Sequence, residues 1–289
     1  MNVILQKMLV EPPKLAKYCC QFIEQLANNE TKETENPVAS TDSKGKNKLN
    51  QQVMTNDFFE KNAQELAAKL VQAIFRTDST TDDKLTEYAF DALFSLIQYR
   101  LPVNQLYDMI RNFGMLIDEQ IGNIPFNKKA EIFDGVLICL STSFSTLYEY
   151  SARVNEDMIS AYIQKVLKLF DHENRIIAEG LYFLIPCAKM MQVNFRHFVS
   201  NIWGTVLAQA ITNESDQEIL KAGYELLSAC ASNDCLNDDQ YEFVLNKLLE
   251  CMMSPNISSE MKPNLFIYLG ELSIKHVHVF SRRMGDVLK

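Results

Sequence analysis

The hydrophobic positions of this chain recur with the spacing of one helix face, and the pattern itself returns at intervals of 43 to 47 residues. Six segments of eleven residues can be superposed, and in each the third, sixth, seventh and tenth positions are apolar or small. This spacing is typical of an amphipathic α-helix with one buried side. The six segments are Lys17–Ala27, Tyr88–Gln98, Glu131–Ser141, Ala178–Ala188, Lys221–Ala231 and Asn264–Ile274.

A further amphipathic helix is predicted before each of the last five segments. These upstream helices are Phe58–Phe75, Val103–Ile121, Glu156–Phe170, Phe195–Ile211 and Asp239–Met253. We call the upstream member of each pair the first helix and the superposed segment the second helix. Helix pairs with this period are typical of HEAT or armadillo arrays, in which each pair packs only against its neighbours. The predicted fold is all-α, a right-handed HEAT-repeat α-solenoid of about six to seven helix pairs, with residues 1–289 in a single array.

One insertion and two atypical ends interrupt the period. The first two segments start 71 residues apart, which equals one repeat plus about 28 residues. The polar stretch 28–55 has no apolar period and is predicted to be a mobile insertion loop. Met1–Val10 resembles the end of a helix, and His278–Lys289 begins another pair and stops. Because solenoids end in polar capping repeats, we expect this chain to be an internal piece of a longer array.

Local signals refine the helices. Glycine costs about 1 kcal/mol relative to alanine inside a helix, so Gly180, Gly223 and Gly270 are expected to permit close approach of a neighbouring helix. Ser215 and Glu218 have the spacing of a capping box, which predicts the start of one second helix.

Composition excludes several classes of protein. The 9 Gly and 8 Pro among 289 residues are far fewer than the roughly 12% that is average, which disfavours a turn-dense β fold. The chain is also longer than the ~250 residues at which single cores stop growing. The net charge of −9, without a Lys/Arg stripe, argues against nucleic acid as a partner.

No membrane partner is expected either, because no run of 18 apolar residues exists and the N-terminus lacks a secretory signal. The chain is interpreted as cytosolic or nuclear. Its seven cysteines are an odd number, and several fall at apolar helical positions, so we interpret them as reduced core thiols.

Catalytic and metal-binding motifs are absent from the sequence, and no enzyme activity and no cofactor are expected. His276 and His278 are two residues apart and would face different sides of a helix, which makes a poor zinc pair. Cys230 and Cys235 lack a second close pair that would complete a tetrahedral site.

Carboxylates on the second helices are the most informative polar residues, at about one per repeat. They are Glu24, Asp91, Asp134, Glu179, Glu225 and Glu271. Second helices usually line the concave side of a solenoid, so these residues could form an acidic ladder that receives a Lys/Arg-rich segment. The alternative is that charges on exposed helix faces only keep the protein soluble.

Four stretches resemble, in order, the karyopherin-β (importin-β) family of nuclear import receptors. Lys262–Leu288 reads KPNLFIYLGELSIKHVHVFSRRMGDVL, in which a Lys-Pro opens a helix, a Gly-acidic pair follows and a Phe-containing first helix comes next. Glu11–Asn29 is similar to the family's Glu-Pro helix before an insertion. Ala178–Ile211 and Ile219–Ser232 resemble the following two repeats of the family.

The resemblance implies a central to C-terminal-side segment of a nuclear transport receptor, found in the cytoplasm, the nucleus and at the nuclear envelope. Such receptors bind cargo or the basic segment of importin-α on the concave face, and FG-repeat nucleoporins between outer helices. Ran-GTP releases the cargo, mainly through repeats that this chain lacks. In place of the family's inner-face Trp, this chain has Cys20. The expected cargo contacts are Cys20, Glu24, Asp91, Asp134, Glu179, Glu225 and Glu271.

Two other classes of protein remain open. A HEAT scaffold of another kind, such as a phosphatase scaffolding subunit, shares the architecture but not the insertion after the Glu-Pro helix. An all-helical enzyme would need a polar pocket with perturbed titratable groups, and the sequence offers no candidate.

Overall fold

The computed structural model describes residues 2–28, 59, 62–76, 84–120, 126–170, 174–275 and 277–281. Within these ranges all regular structure is helical and no strand occurs, which confirms the all-α prediction. The helices are α1 (Asn2–Val10), α2 (Pro13–Asn28), α3 (62–74), α4 (Leu85–Tyr99), α5 (Val103–Gln120), α6 (Phe126–Glu149), α7 (Glu156–Leu167), α8 (Asn174–Met191), α9 (Arg196–Ile202), α10 (Ala208–Ala210), α11 (Gln217–Ser232), α12 (Asp238–Met253), α13 (Lys262–Lys275) and α14 (277–281). A 3₁₀-helix (Gln192–Phe195) precedes α9, and a π-helix (Trp203–Leu207) joins α9 to α10.

Of the predicted insertion 28–55, Asn28 is the last residue of α2, and the remainder lies outside the described residues. Two of the five predicted first helices agree closely with the structure, whereas the predicted helix Glu156–Phe170 ends at Leu167 and Phe195–Ile211 is divided into α9, a π-helix and α10. Val103–Ile121 is observed as α5, which ends at Gln120, and Asp239–Met253 is observed as α12, which starts one residue earlier. The amphipathic pattern therefore located these helices to within a residue.

The helices form two compact units, Met1–Ala152 and Arg153–Lys289. In the first unit the second helices stack in chain order, α2 on α4 and α4 on α6, while α1 packs on α2 and α5 on α6. Phe113, Phe133 and Phe144 are among its fully buried side chains. Helix α4 therefore lies between the second helices that precede and follow it in this unit.

The second unit repeats this arrangement. Helix α8 packs on α11 and α11 packs on α13, and the first helices α7, α10 and α12 each pack on the second helix that follows them. Tyr224 and Tyr241 are its largest fully buried side chains. The Tyr241 hydroxyl donates a hydrogen bond to the Leu272 carbonyl at 2.6 Å, which joins α12 to α13.

Two of the three predicted close-approach glycines are confirmed. A methyl group added at Gly180 would overlap the Phe170 ring, and one added at Gly223 would lie 3.1 Å from a methyl carbon of Ile211. The prediction is wrong at Gly270, where an added methyl meets no atom within 4 Å. Its helix α13 has a face that no other described helix covers.

The predicted capping box is also wrong. Asp216, not Ser215, caps α11, and its carboxylate accepts a hydrogen bond from the Ile219 amide at 3.2 Å. Glu218 instead accepts a hydrogen bond from a tyrosine of α8. A capping box does occur at the start of α12, between Asn237 and Gln240.

Two helical stretches, Ala130–Glu149 and Ile176–Ala210, are long and apolar enough to cross a membrane. In this fold 67% and 56% of their most apolar windows are buried within the protein. Their apolar residues therefore serve largely to pack these helices against the other helices of the chain.

Candidate functional site

Acidic and tyrosine side chains of the second helices meet on one surface of the second unit. The Tyr182 hydroxyl on α8 donates to Glu218 Oε1 on α11 at 2.6 Å, and the Tyr268 hydroxyl on α13 donates to Glu225 Oε1 on α11 at 3.0 Å. The Ser228 hydroxyl on α11 donates to Glu271 Oε2 on α13. We call this surface the acidic tyrosine face, and it consists of Tyr182, Glu218, Glu225, Tyr268 and Glu271.

The tyrosines of this face remain hydrogen-bond donors. Burial, the hydrogen bond to Glu218 and the charge of Glu225 together raise the pKa of Tyr182. Burial, followed by the charge of Glu225, likewise raises the pKa of Tyr268, and the charges of Glu271 and Glu218 add to the effect. All three carboxylates therefore lie within electrostatic reach of Tyr268. The face combines neutral phenols with clustered negative charge.

The repeat explains why these residues meet. Tyr182, Glu225 and Tyr268 are each 43 residues apart and occupy the same position in consecutive second helices. Ser228 and Glu271 are also 43 residues apart. Sequence reasoning found Glu225 and Glu271 but missed both tyrosines and assigned Glu218 to a helix cap. The shared register of Tyr182 and Tyr268 with Glu225 was the signal that could have revealed them.

A smaller acidic group lies on the first unit. Glu24 on α2 and Glu87 and Asp91 on α4 are close enough for their charges to interact. Partial burial raises the pKa of Asp91, and the charges of Glu24 and then Glu87 raise it further. The structure thus brings Glu24 and Asp91 together, as the ladder prediction requires for neighbouring repeats.

Asp91→Asn is expected to stabilise the first unit slightly at pH 7. Because the folded-state pKa is raised, the protonated carboxyl fits the fold better than the charged one. That stabilising contribution is present at low pH and is lost as the pH rises through the raised pKa. The amide lacks the charge, so its advantage, below about 1 kcal/mol, should appear at pH 7 and vanish on acidification. Thermal unfolding at several pH values measures it.

Glu65→Gln on α3 is the matched control, since it removes one exposed negative charge from the same unit. Its effect on the melting temperature should be smaller at pH 7. A lower melting temperature for Asp91→Asn at pH 7 would contradict the electrostatic interpretation.

Two expected cargo contacts are corrected by the structure. The Cys20 side chain is fully buried, and burial raises the pKa of its thiol to about 12, so it stays neutral and inaccessible to a partner. Asp134 is only 6% exposed, because every residue from Ile132 to Leu137 is buried between neighbouring helices of the first unit. Glu179 is half-buried on α8.

Two cavities are lined by residues of first helices, one in each unit. The cavity between α3 and α5 has a volume of about 270 Å³ and is lined by Ala67, Ala68, Val71 and Met109 among others. Sequence reasoning could not separate its lining from core residues, because both are apolar at helical spacing.

The second cavity lies beside the α9–α10 run, near the end of α7, with a volume of about 530 Å³, and Ile177 of α8 and Ile219 of α11 also line it. Asn201, Thr205, Gln209 and Asn213 line it at intervals of four residues and so share one side of the run, beside apolar residues such as Val206. Thr205 and Val206 belong to the π-helix, an irregularity that is frequent at functional sites.

The described residues contain no group of three or more His, Cys, Asp or Glu side chains that could hold a metal ion. His278 lies 3.6 Å from Asp238, and His276 is outside the described part of the chain. All seven cysteines carry free thiols, and all but Cys19 are buried.

No protein-family model matches this sequence, and no curated protein matches it. Among solved structures, the chain is similar to the crystal structure of an engineered protein, with a TM-score of 0.54 and 13% sequence identity. The similarity covers 95% of this chain and 96% of the engineered one. At this identity it concerns the fold alone, and it extends over nearly the whole length of both chains.

Proposed function

We propose that this chain is a HEAT-repeat segment of a karyopherin-β-type nuclear transport receptor. In this proposal its second helices bind basic cargo or the basic segment of importin-α, and the cavities lined by its first helices bind FG-repeat nucleoporins. The observation that carries the proposal is the acidic tyrosine face. The sequence resemblance supports the choice of family.

The solenoid part of the proposal is supported by the stacking order of the second helices. Within each unit every second helix packs on the next one along the chain. Hydrogen bonds between consecutive pairs join residues about one repeat apart. Cys235 donates to the Gln192 carbonyl, 43 residues away, and the Ser258 hydroxyl donates to Gln217 Oε1, 41 residues away. Contacts restricted to adjacent pairs are the defining property of a repeat array.

The chemistry of the acidic tyrosine face suits a segment rich in Lys and Arg. Its three carboxylates all lie within electrostatic reach of Tyr268, and a bound Lys or Arg side chain would form charge-assisted hydrogen bonds with them. Lys221 already lies with its Nζ 5.8 Å from the centre of the Tyr182 ring. The half-buried Tyr182 ring can therefore also contact the aliphatic stems of Lys and Arg, whereas the Tyr268 ring is 6% exposed and contributes only its hydroxyl, as the donor to Glu225.

The cavities suit the aromatic side chains of FG repeats for a different reason. Each has apolar lining residues, such as Val71 and Met109 in the first unit and Ile202 and Val206 in the second. Amide side chains, such as Gln105 in the first unit and Asn201 and Gln209 in the second, line the same cavities. An inserted Phe ring would gain apolar burial, and the amides would pair with the peptide backbone.

A peptide titration tests the proposal. The triple variant Glu218→Gln/Glu225→Gln/Glu271→Gln keeps side-chain oxygens that accept hydrogen bonds but removes three negative charges. At about 0.5 kcal/mol per partly exposed charge contact, affinity for a Lys/Arg-rich peptide should fall roughly tenfold. Fluorescence anisotropy at several salt concentrations should also show a weaker salt dependence for the variant.

The matched control is Asp234→Asn/Asp239→Asn/Glu260→Gln, which removes three exposed charges elsewhere in the same unit. It should bind the basic peptide nearly as well as the wild type. An FG-repeat peptide should bind both triple variants equally. If both variants lost the same affinity for the basic peptide, the effect would come from net charge and not from the acidic tyrosine face. If neither lost affinity, the proposed site would be contradicted.

A further inference from the structure

A lysine of this chain lies on the acidic tyrosine face. Lys221 is on α11, three residues after Glu218 and four residues before Glu225, so the three side chains form one row on the same side of the helix. The Lys221 ammonium lies 5.8 Å from the centre of the Tyr182 ring on α8, which is within the range of a cation–π contact. The face therefore already holds one cation of its own.

This contact places Lys221 where a basic side chain of a partner would bind. The Tyr182 hydroxyl donates to Glu218, so a cation that contacts the Tyr182 ring also lies beside a carboxylate. A Lys or Arg of a partner that uses both groups would take the place of Lys221. As long as Lys221 stays on the ring, its charge repels a second cation at that position.

A partner can displace the Lys221 side chain. A cation–π contact at a partly exposed site is weaker than a hydrogen bond between charged groups. The guanidinium of an Arg can donate two parallel hydrogen bonds to a carboxylate and can also stack on an aromatic ring. The flexible four-carbon stem of lysine allows the Lys221 ammonium to turn away into water.

The first unit contains the same combination of groups. Lys17 on α2 and Lys221 on α11 occupy the same position in the repeat, since each is the first residue of its superposed segment. The Lys17 ammonium lies 5.8 Å from the centre of the Tyr88 ring on α4. Tyr88 follows Glu87, a member of the smaller acidic group. In both units a lysine at this position thus contacts a tyrosine ring of a neighbouring second helix, beside carboxylates.

We propose that Lys221 is an internal competitor of the basic segment, which must displace it from the Tyr182 ring in order to bind. This inference rests on the proposed function, because it describes how access to the acidic tyrosine face is regulated. Replacing one cation by another gains little, so Lys221 disfavours a partner that offers a single cation. A segment with several Lys or Arg residues gains further contacts, with Glu225 and Glu271.

Lys221→Met tests the displacement, since methionine removes the charge but keeps a long unbranched side chain and a high helix propensity. Affinity for the Lys/Arg-rich peptide, measured by fluorescence anisotropy, should rise roughly fivefold above that of the wild type. Unfolding of the variant would lower the affinity, so it cannot produce this gain. Lys221→Arg keeps the charge and contacts the ring more strongly, so its affinity should fall below that of the wild type.

Lys247→Met is the matched control, because Lys247 is a partly exposed lysine of α12 in the same unit, and its ammonium lies 2.6 Å from Glu250 of that helix. It changes the net charge by the same amount and should bind the peptide nearly as the wild type does. An equal gain in the two methionine variants would overturn the displacement in favour of a general charge effect.

The proposed function and the displacement fail in different ways. If the wild type binds the peptide and Lys221→Met binds it no more tightly, the displacement is wrong and the acidic tyrosine face remains the binding site. If neither the wild type nor Lys221→Met binds the peptide, the proposed function itself is wrong, and the displacement fails with it.

Discussion

Gly135→Ala should lower the free energy of unfolding of the first unit by about 1–2 kcal/mol, although alanine is the better helix former. Gly135 lies inside α6, and an added methyl group would overlap the Phe90 ring of α4. Phe90 is only 7% exposed, so its ring cannot move aside without separating the two helices. Overpacking should therefore outweigh the gain in helix propensity of about 1 kcal/mol. Chemical denaturation followed by circular dichroism measures the difference.

Gly270→Ala supplies the matched comparison because it makes the same substitution in a helix interior with open space around it. Only the propensity gain applies there, so the variant should be more stable than the wild type by up to about 1 kcal/mol. A second variant, Phe90→Leu in the Gly135→Ala background, should recover part of the lost stability by making room for the methyl group. If both glycine substitutions changed the free energy of unfolding in the same direction, the packing argument would be contradicted.

The opposite effects expected at these two glycines show which packing contacts the sequence repeat could predict and which it could not. The sequence pattern predicted close packing against the second helices at their glycines. Gly223 agrees with this prediction, since a methyl group added there would lie 3.1 Å from a methyl carbon of Ile211. Gly270 has the same position in the repeat as Leu227, which is buried. Position in the repeat specifies which face a residue is on, but the presence of a neighbour on that face is a property of the folded chain.

The candidate site shows the same limit. The pattern placed carboxylates on the second helices, and the structure groups Glu225 and Glu271 around Tyr268. The sequence pattern could not predict that Asp134 would be buried, because the polarity of that residue alone assigned it to the surface. Cys20 was assigned by resemblance to a family position, and its complete burial follows from packing within the first unit.

The tyrosines were missed because an aromatic residue at helical spacing is indistinguishable from core until its hydroxyl partner is known. Tyr224 and Tyr268 illustrate this, since both rings are buried and stack on each other, yet only the Tyr268 hydroxyl donates to a carboxylate, that of Glu225. Side-chain hydrogen bonds between repeats therefore define the acidic tyrosine face.

Arg100→Ala should destabilise the first unit by about 2 kcal/mol, as a loss of hydrogen bonds rather than of surface charge. Arg100 follows α4, and its Nε and Nη2 both donate to the Ala27 carbonyl, at 3.2 and 3.0 Å. Ala27 is in the last turn of α2, where carbonyls lack partners within the helix. The guanidinium also lies 5.2 Å from the centre of the Phe59 ring. Hydrogen bonds to a charged donor are worth about 1.5–3 kcal/mol, and the ring contact adds about 0.5–1 kcal/mol.

Arg111→Ala is the control for this prediction, because Arg111 is 74% exposed and its nearest carboxylate, Asp108, lies 3.8 Å away on the surface. Its loss should cost less than about 1 kcal/mol. Arg100→Lys keeps the charge but cannot form two parallel hydrogen bonds with one carbonyl, so its stability should fall between those of the wild type and Arg100→Ala. If denaturation gave equal losses for Arg100→Ala and Arg111→Ala, the link from α4 to the end of α2 would contribute nothing to folding. We expect the larger loss of stability for Arg100→Ala, because Arg100 joins the end of α2, the end of α4 and Phe59.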